Sequence, residues 1–237
     1  MSSSSPTRPR TTATAEFSGA RADLESRLLP VLEDARRRGL VGPGPLLPHL
    51  DHALGFGASG FGALGSAALG ARRAEGPCLD LGSGAGLPGL PLALAWPDSR
   101  WTLVDAGSRR VEFLEAAVSA LGLGDRVVVI EGRAEELARR DGLRGQFALV
   151  VARGFASPAV TAECAAGFLA VGGRLVVSEP PGGRPDRWPA EGLAVLGLAP
   201  GESYEADGAS YQVVRQASPC PDRYPRRVGI PAKRPLF

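Results

Sequence analysis

The chain has 237 residues, of which 44% are hydrophobic and 22% charged, with a net charge of +2. That is enough for one α/β domain with modest terminal additions, and it excludes a chain too polar to fold; so small a charge does not by itself argue for nucleic acid. Lys233 is the only lysine, and Ala, Gly and Pro are also abundant, a bias that fits a high-GC genome better than selection for phosphate contacts. Cys78, Cys164 and Cys220 are odd in number and far apart. They read as small buried hydrophobes in a reducing compartment, not as a disulfide framework or zinc ligands.

Residues 1–19 read as a disordered tail, because 1–14 are rich in Ser, Thr, Pro and Arg without the apolar core of a signal peptide. Residues 20–75 read as a helical extension. Leu24, Leu28, Val31 and Leu32 recur at helical spacing with charges between them, and the Pro/Gly run 42–48 ends the pattern. His49 and His52 share a helical face, but no third ligand stands nearby, so no metal site is expected. The uncharged stretch 53–71 has the length of a bilayer span. Its Gly, Ala and Ser content makes transfer into lipid weakly favourable at best, so it is expected to lie against the main domain, with no membrane contact.

From 76 to 220, strand and helix patterns alternate. Cys78–Leu81 predicts a strand running into a Gly turn, followed by a helix from Pro88 to Trp96 and a second strand from Trp101 to Val104. Val111, Leu114, Val118 and Leu121 mark the next helix, which Gly122 stops. Strands follow at 126–130 and 147–151, then a helix opened by Ser157-Pro158 and a fifth strand from Arg174 to Ser178. Weaker strand patterns lie at 194–198 and 211–215, which makes seven. Such alternation gives a Rossmann-like domain with a mostly parallel sheet, binding its ligand beyond the carboxyl ends of the strands. Residues 80–86, Asp105, 131–135 and 152–154 should then surround one crevice.

The segment Leu79-Asp80-Leu81-Gly82-Ser83-Gly84-Ala85-Gly86 is the most informative in the chain. Gly82, Gly84 and Gly86 let the backbone turn sharply and approach a ligand closely. Gly84, Gly86 and Gly89 also satisfy the dinucleotide pattern. Two features favour S-adenosylmethionine. A carboxylate at Asp80 would repel a pyrophosphate but can hold an amino-acid ammonium, and Pro88 lacks an N–H where a pyrophosphate would want one. Asp105 ends the second strand, placed for a ribose diol or, alternatively, to cap the helix that starts near Ser108. The fold class expected is therefore a Rossmann-like class I S-adenosylmethionine-dependent methyltransferase with an N-terminal helical extension.

Taken together, Asp80-Leu-Gly-Ser-Gly-Ala-Gly-Leu-Pro-Gly-Leu-Pro-Leu92, Leu103-Val-Asp105, Arg109-Arg-Val-Glu-Phe-Leu114, Arg133-Ala-Glu135 and Ala152-Arg-Gly-Phe-Ala156 resemble the bacterial small-subunit ribosomal RNA guanine-N7 methyltransferases, also called glucose-inhibited division protein B. The ending Arg223 to Leu236 is similar as well. The resemblance implies cofactor contacts at Gly82, Leu87, Ala134, Glu135 and Arg153, and a cytoplasmic enzyme that acts on 16S ribosomal RNA or the small ribosomal subunit; the chain is expected to be a monomer. Three positions depart from the family pattern. Glu179-Pro180 stands where Lys-Gly is usual after the fifth strand, Phe147-Ala148 replaces Phe-Asp, and an N-terminal signature of His with an acid or amide three residues on is reduced to His52 and Gly55. These departures leave open a small-molecule or other RNA methyltransferase, or a cofactor-binding protein without catalysis.

Two further expectations concern charge. Arg153 follows a buried strand, where an unpaired guanidinium is costly, so it should contact the cofactor or a nearby acid such as Glu135. Residues 221–237 carry Arg223, Arg226, Arg227, Lys233 and Arg234 against Asp222 alone. They form either an extended strap along RNA, dispensable for cofactor binding, or a segment packed back on the sheet with Tyr224 and Leu236 buried.

Overall fold

The computed structural model describes residues 10–58, 76–182 and 184–237. Helix α1 (Arg10–Arg37) opens inside the stretch assigned above to a tail. Residues 10–18 contain no Gly or Pro to stop a helix that Leu24, Leu28 and Leu32 anchor further along. Helix α2 (Leu47–Gly55) and a 3-10 turn (Phe56–Ala58) bury Leu50, Ala53, Leu54 and Phe56, so the beginning of the uncharged stretch packs into protein. The rest of that stretch lies outside the described residues. No helix among the described residues is long and apolar enough to cross a membrane.

The domain then alternates as β1 (Cys78–Leu81), α3 (Gly89–Ala95), β2 (Trp101–Asp105), α4 (Ser108–Ala120), β3 (Val127–Glu131), α5 (Ala134–Leu137), β4 (Phe147–Ala152), α6 (Pro158–Ala166) and β5 (Leu169–Glu179). Helix α7 (Ala190–Ala194) and the hairpin β6 (Leu198–Ala206) and β7 (Ala209–Gln216) complete it. The seven strands lie in the order β3-β2-β1-β4-β5-β7-β6. The first five are parallel, and β7 inserts antiparallel between β5 and β6. This is the mostly parallel, Rossmann-like sheet expected from the sequence. The sixth strand is displaced from its expected position: 190–194 is helical, and the strand begins at Leu198 despite Pro200 and Gly201. β6 is an edge strand whose register shifts between Pro200 and Ser203, which is where a proline is tolerated.

Strand alternation divides the core into two faces. Cys78, Trp101, Leu103, Leu149, Val151 and Val176 point to one side, under α1, α2, α3 and α4. Leu79, Leu81, Val104, Val150, Ala152, Leu175 and Val177 point to the other, under α5, α6, α7 and the C-terminal segment. Both faces are covered, so these strands read as nearly continuous apolar runs.

The C-terminal segment packs back onto the second face. Tyr224 is buried there, with Leu236 and Phe237 partly buried against the same cluster. Arg144 donates to the carbonyls of Cys220, Pro221 and Tyr224, while Arg139 donates to those of Asp222, Arg223 and Pro225. Glu163, buried in α6, accepts from the Arg226 backbone N–H at 2.7 Å and from its guanidinium at 2.6 Å. Removing the guanidinium would strand a buried carboxylate. Arg226→Ala should therefore lower unfolding free energy by about 2 kcal/mol, less than a fully buried pair costs because the guanidinium side chain is 25% exposed. Urea unfolding of the variant and of the Glu163→Ala/Arg226→Ala double variant checks this; the double variant should recover part of the loss.

Candidate functional site

The turn from β1 to α3 is fixed by two carboxylates on neighbouring strands. Asp80, on β1, accepts the Gly89 N–H at 2.9 Å through Oδ2 and so pins the start of α3. A Cβ at Gly89 would sit 2.6 Å from that oxygen and 2.6 Å from Leu103, so only glycine allows this approach. Asp105, at the end of β2, accepts the Gly84 N–H through Oδ2, and through Oδ1 the Gly107 N–H and the Arg110 guanidinium, all at 2.8–2.9 Å. Asp105 thus supports the start of α4 and lines the crevice.

That crevice is a cavity of about 360 Å³ at the carboxyl ends of β1, β2, β3 and β4, within the size range of small-molecule sites. Of the residues expected in it, Gly82, Asp105, Ala134 and Glu135 line the wall. Gly82 has φ +72° and carries the ring of Phe155 where a Cβ would project, at 2.6 Å. Glu135 is not the exposed first-turn acid that α5 would allow. It is buried, accepts the Gly229 N–H at 3.0 Å and lies 3.7 Å from Arg133.

The other expected residues do not line the wall. Gly84 points its N–H at Asp105, Gly86 packs on Leu90, and Leu87 is buried with Leu32, Leu46 and Ala53 of the N-terminal extension. Asp80 is wholly enclosed, and among the described residues its Oδ1 has no hydrogen-bond partner. The Arg153 guanidinium meets His49 Nδ1 at 2.9 Å and not Glu135, the acid suggested for it. The cause is alternation: Leu149 and Val151 point toward α2, so Arg153 does as well, while Glu135 lies across the sheet. Burial and the Arg153 charge both lower the pKa of His49, and they hold His52 down at about 4.

Sequence reasoning missed Arg110, Phe155, Val160, Cys164 and Ala232 in the cavity wall. The first two sit within quoted motifs and carried a signal; Ala232 comes from the last helix, α8 (Ile230–Lys233), and only folding brings it there. The C-terminal segment thus contributes to the cavity wall.

A second cavity, of about 320 Å³, adjoins the first, and Gly154, Phe155 and Ala156 line both. Among the described residues no three His, Cys, Asp or Glu gather as metal ligands.

Residues 65–179 match the family model described as rRNA small subunit methyltransferase G. Ribosomal RNA small subunit methyltransferase G of Leuconostoc mesenteroides is 34% identical over 171 residues, covering 70% of this chain and 71% of that protein. The proteins of the same name from Moorella thermoacetica and Deinococcus deserti are 37% and 39% identical, each alignment covering 67% of this chain and 68% of the relative. The chain belongs to the rRNA small subunit methyltransferase G family. Against the family pattern, the acid or amide lost at position 55 has a local explanation: any side chain on Gly55 would occupy the space of the Tyr211 hydroxyl, which donates to the His52 carbonyl at 2.7 Å. Glu179, in place of the family lysine, is not a free negative charge. Arg187 pairs with Oε2, and Trp188 Nε1 donates to Oε1 at 3.0 Å.

Burial pushes the Asp80 carboxyl up to about 7, against the opposing pull of the Gly89 N–H. The unfolded chain ionises this group near the ordinary 3.8, so between 3.8 and about 7 the folded state holds the extra proton. Stability contributed by the protonated form is therefore lost as pH rises through that window. Asp80→Asn keeps an acceptor for Gly89 and cannot ionise. Its unfolding free energy relative to the native chain should rise between about pH 4 and about pH 7, as read from urea titrations. Parallel pH dependences for the two proteins would show that Asp80 ionises normally.

Proposed function

We propose that this chain transfers a methyl group from S-adenosylmethionine to N7 of a guanine in the 16S ribosomal RNA of the small subunit, in the cytoplasm. The observation that carries the reading is the Asp80–Gly89 loop opening onto a cavity built by the family's own motif residues.

The cavity's chemistry fits the cofactor better than a dinucleotide. Its two buried carboxylates, Asp105 and Glu135, are each matched by an arginine about half exposed, so the wall offers no excess of positive charge for a pyrophosphate. A sulfonium beside buried carboxylates is favoured electrostatically. Asp105 would hold the ribose hydroxyls, Ala134 and Glu135 the adenine side, and Gly82 the point of closest backbone approach. Asp80 would act from beneath the loop, and Arg153, anchored by His49, from the α2 side. When bound, S-adenosylmethionine supplies an electrophilic methyl whose sulfur leaves as a neutral thioether.

The acceptor asks little of the protein. Guanine N7 carries an in-plane lone pair and no proton, so no general base is required and rate comes from alignment. Among the described residues, the two acids of the cavity wall, Asp105 and Glu135, are each paired with an arginine, which is compatible with chemistry that needs no base.

Nucleoside analysis of 16S rRNA from a strain lacking this gene should show loss of one 7-methylguanosine, restored by the purified protein. Unchanged 7-methylguanosine would refute the reading. For the cofactor, Ala232→Phe narrows the mouth while leaving the arginine anchors of the C-terminal segment in place. Affinity for S-adenosylhomocysteine by calorimetry should fall about tenfold, with the melting temperature retained.

A further inference from the structure

The second cavity contains a buried acid that the transfer chemistry does not use. Glu179 ends β5, its side chain only 5% exposed, and it lines this cavity together with the two groups that hold it, Arg187 and Trp188. We infer that this cavity receives the target base and that the Glu179 carboxylate reads the Watson–Crick edge of a guanine; the inference rests on the function proposed above.

The hydrogen-bond inventory supports the choice of base. A carboxylate only accepts, with about four lone-pair directions over two oxygens. The Arg187 guanidinium uses one on Oε2 and the Trp188 indole one on Oε1, so each oxygen retains an acceptor. Guanine presents N1–H and N2–H side by side, two donors that match two acceptors. Adenine and cytosine each present a ring acceptor beside their amino group, and uracil flanks its one donor with two carbonyls. Each would oppose a lone pair to the carboxylate, and an unpaired buried acceptor is costly.

The rest of the cavity suits a splayed nucleotide. Phe155, partly exposed and lining both cavities, offers an aromatic surface for stacking, as single-stranded RNA recognition requires. Arg187 neutralises the acid and keeps other N–H donors for the nucleotide's phosphate, which offsets the repulsion a bare carboxylate would bring. Reading the base at N1 and N2 leaves N7 on the far side of the ring, so the edge that is recognised and the edge that is methylated do not compete. Because Gly154, Phe155 and Ala156 form a wall common to both cavities, a base held here lies next to the site of the methyl donor.

The test uses small ribosomal subunits purified from a strain deleted for this gene, with methylated nucleosides identified after digestion. Glu179→Gln places an amide donor against guanine's donors, and kcat/KM on the particles should fall about tenfold or more, with S-adenosylhomocysteine affinity unchanged. Glu179→Asp keeps the charge beside Arg187 but withdraws the carboxylate from the base, and it should also lose kcat/KM while melting like the native chain. Wild-type kcat/KM in Glu179→Asp overturns the inference whatever Glu179→Gln does, and leaves the proposed function standing. If the native protein methylates no guanine in the particles, the function falls and this base site falls with it.

Discussion

The geometry of this protein depends on how the backbone is held between β1 and α3. Two carboxylates from adjacent parallel strands do it, Asp80 on the Gly89 N–H and Asp105 on the Gly84 N–H. Their strands are in fixed register, Asp80 opposite Leu103 and Asp105 opposite Glu131, so the anchors cannot slip relative to one another. A loop with so many glycines has a large conformational entropy to lose. Anchoring it at both ends confines that loss to folding, and the cavity is largely formed before any ligand arrives.

The sheet separates duties by side-chain alternation. On the face under α1 and α2 lies a polar group of Asp80, Arg153, His49 and His52, in which His49 Nδ1 accepts from the Arg153 guanidinium, whose pKa burial lowers. On the opposite face lie both cavities, with Glu135, Phe155 and Glu179 in their walls. The arginine-rich composition is in part structural. Arg139 and Arg144 spend their donors on backbone carbonyls of 220–225, groups that no helix or strand satisfies. The C-terminal segment is thereby held so that Gly229 reaches Glu135 and Ala232 closes the cavity.

Departures from the family pattern come with local compensation. Where position 55 has lost its side chain, the Tyr211 hydroxyl fills the space and satisfies the His52 carbonyl. Where lysine is replaced by Glu179, an arginine eight residues later and a tryptophan nine residues later hold the carboxylate. A reversed charge inside a wall needs such partners, because an unpaired buried carboxylate would be too costly to keep.

The sequence by itself determined the alternation of strands and helices, the loop at residues 80–89, and the position of Asp105, Ala134 and Glu135 at one crevice. Those features are local, written in hydrophobic period, glycine spacing and strand-end position. Arg153 was legible as a buried charge but not in its partner, since His49 lies 104 residues away and on a side of the sheet that only the pleat assigns. The edge strand β6 was misplaced because an edge tolerates Pro200 and Gly201, which elsewhere mark a turn. Tertiary structure alone decided that the basic C-terminal segment closes a cavity and that Asp80 is sealed beneath the loop. Both outcomes turn on which groups compete for a carboxylate or a carbonyl in three dimensions, and that competition has no period in the sequence.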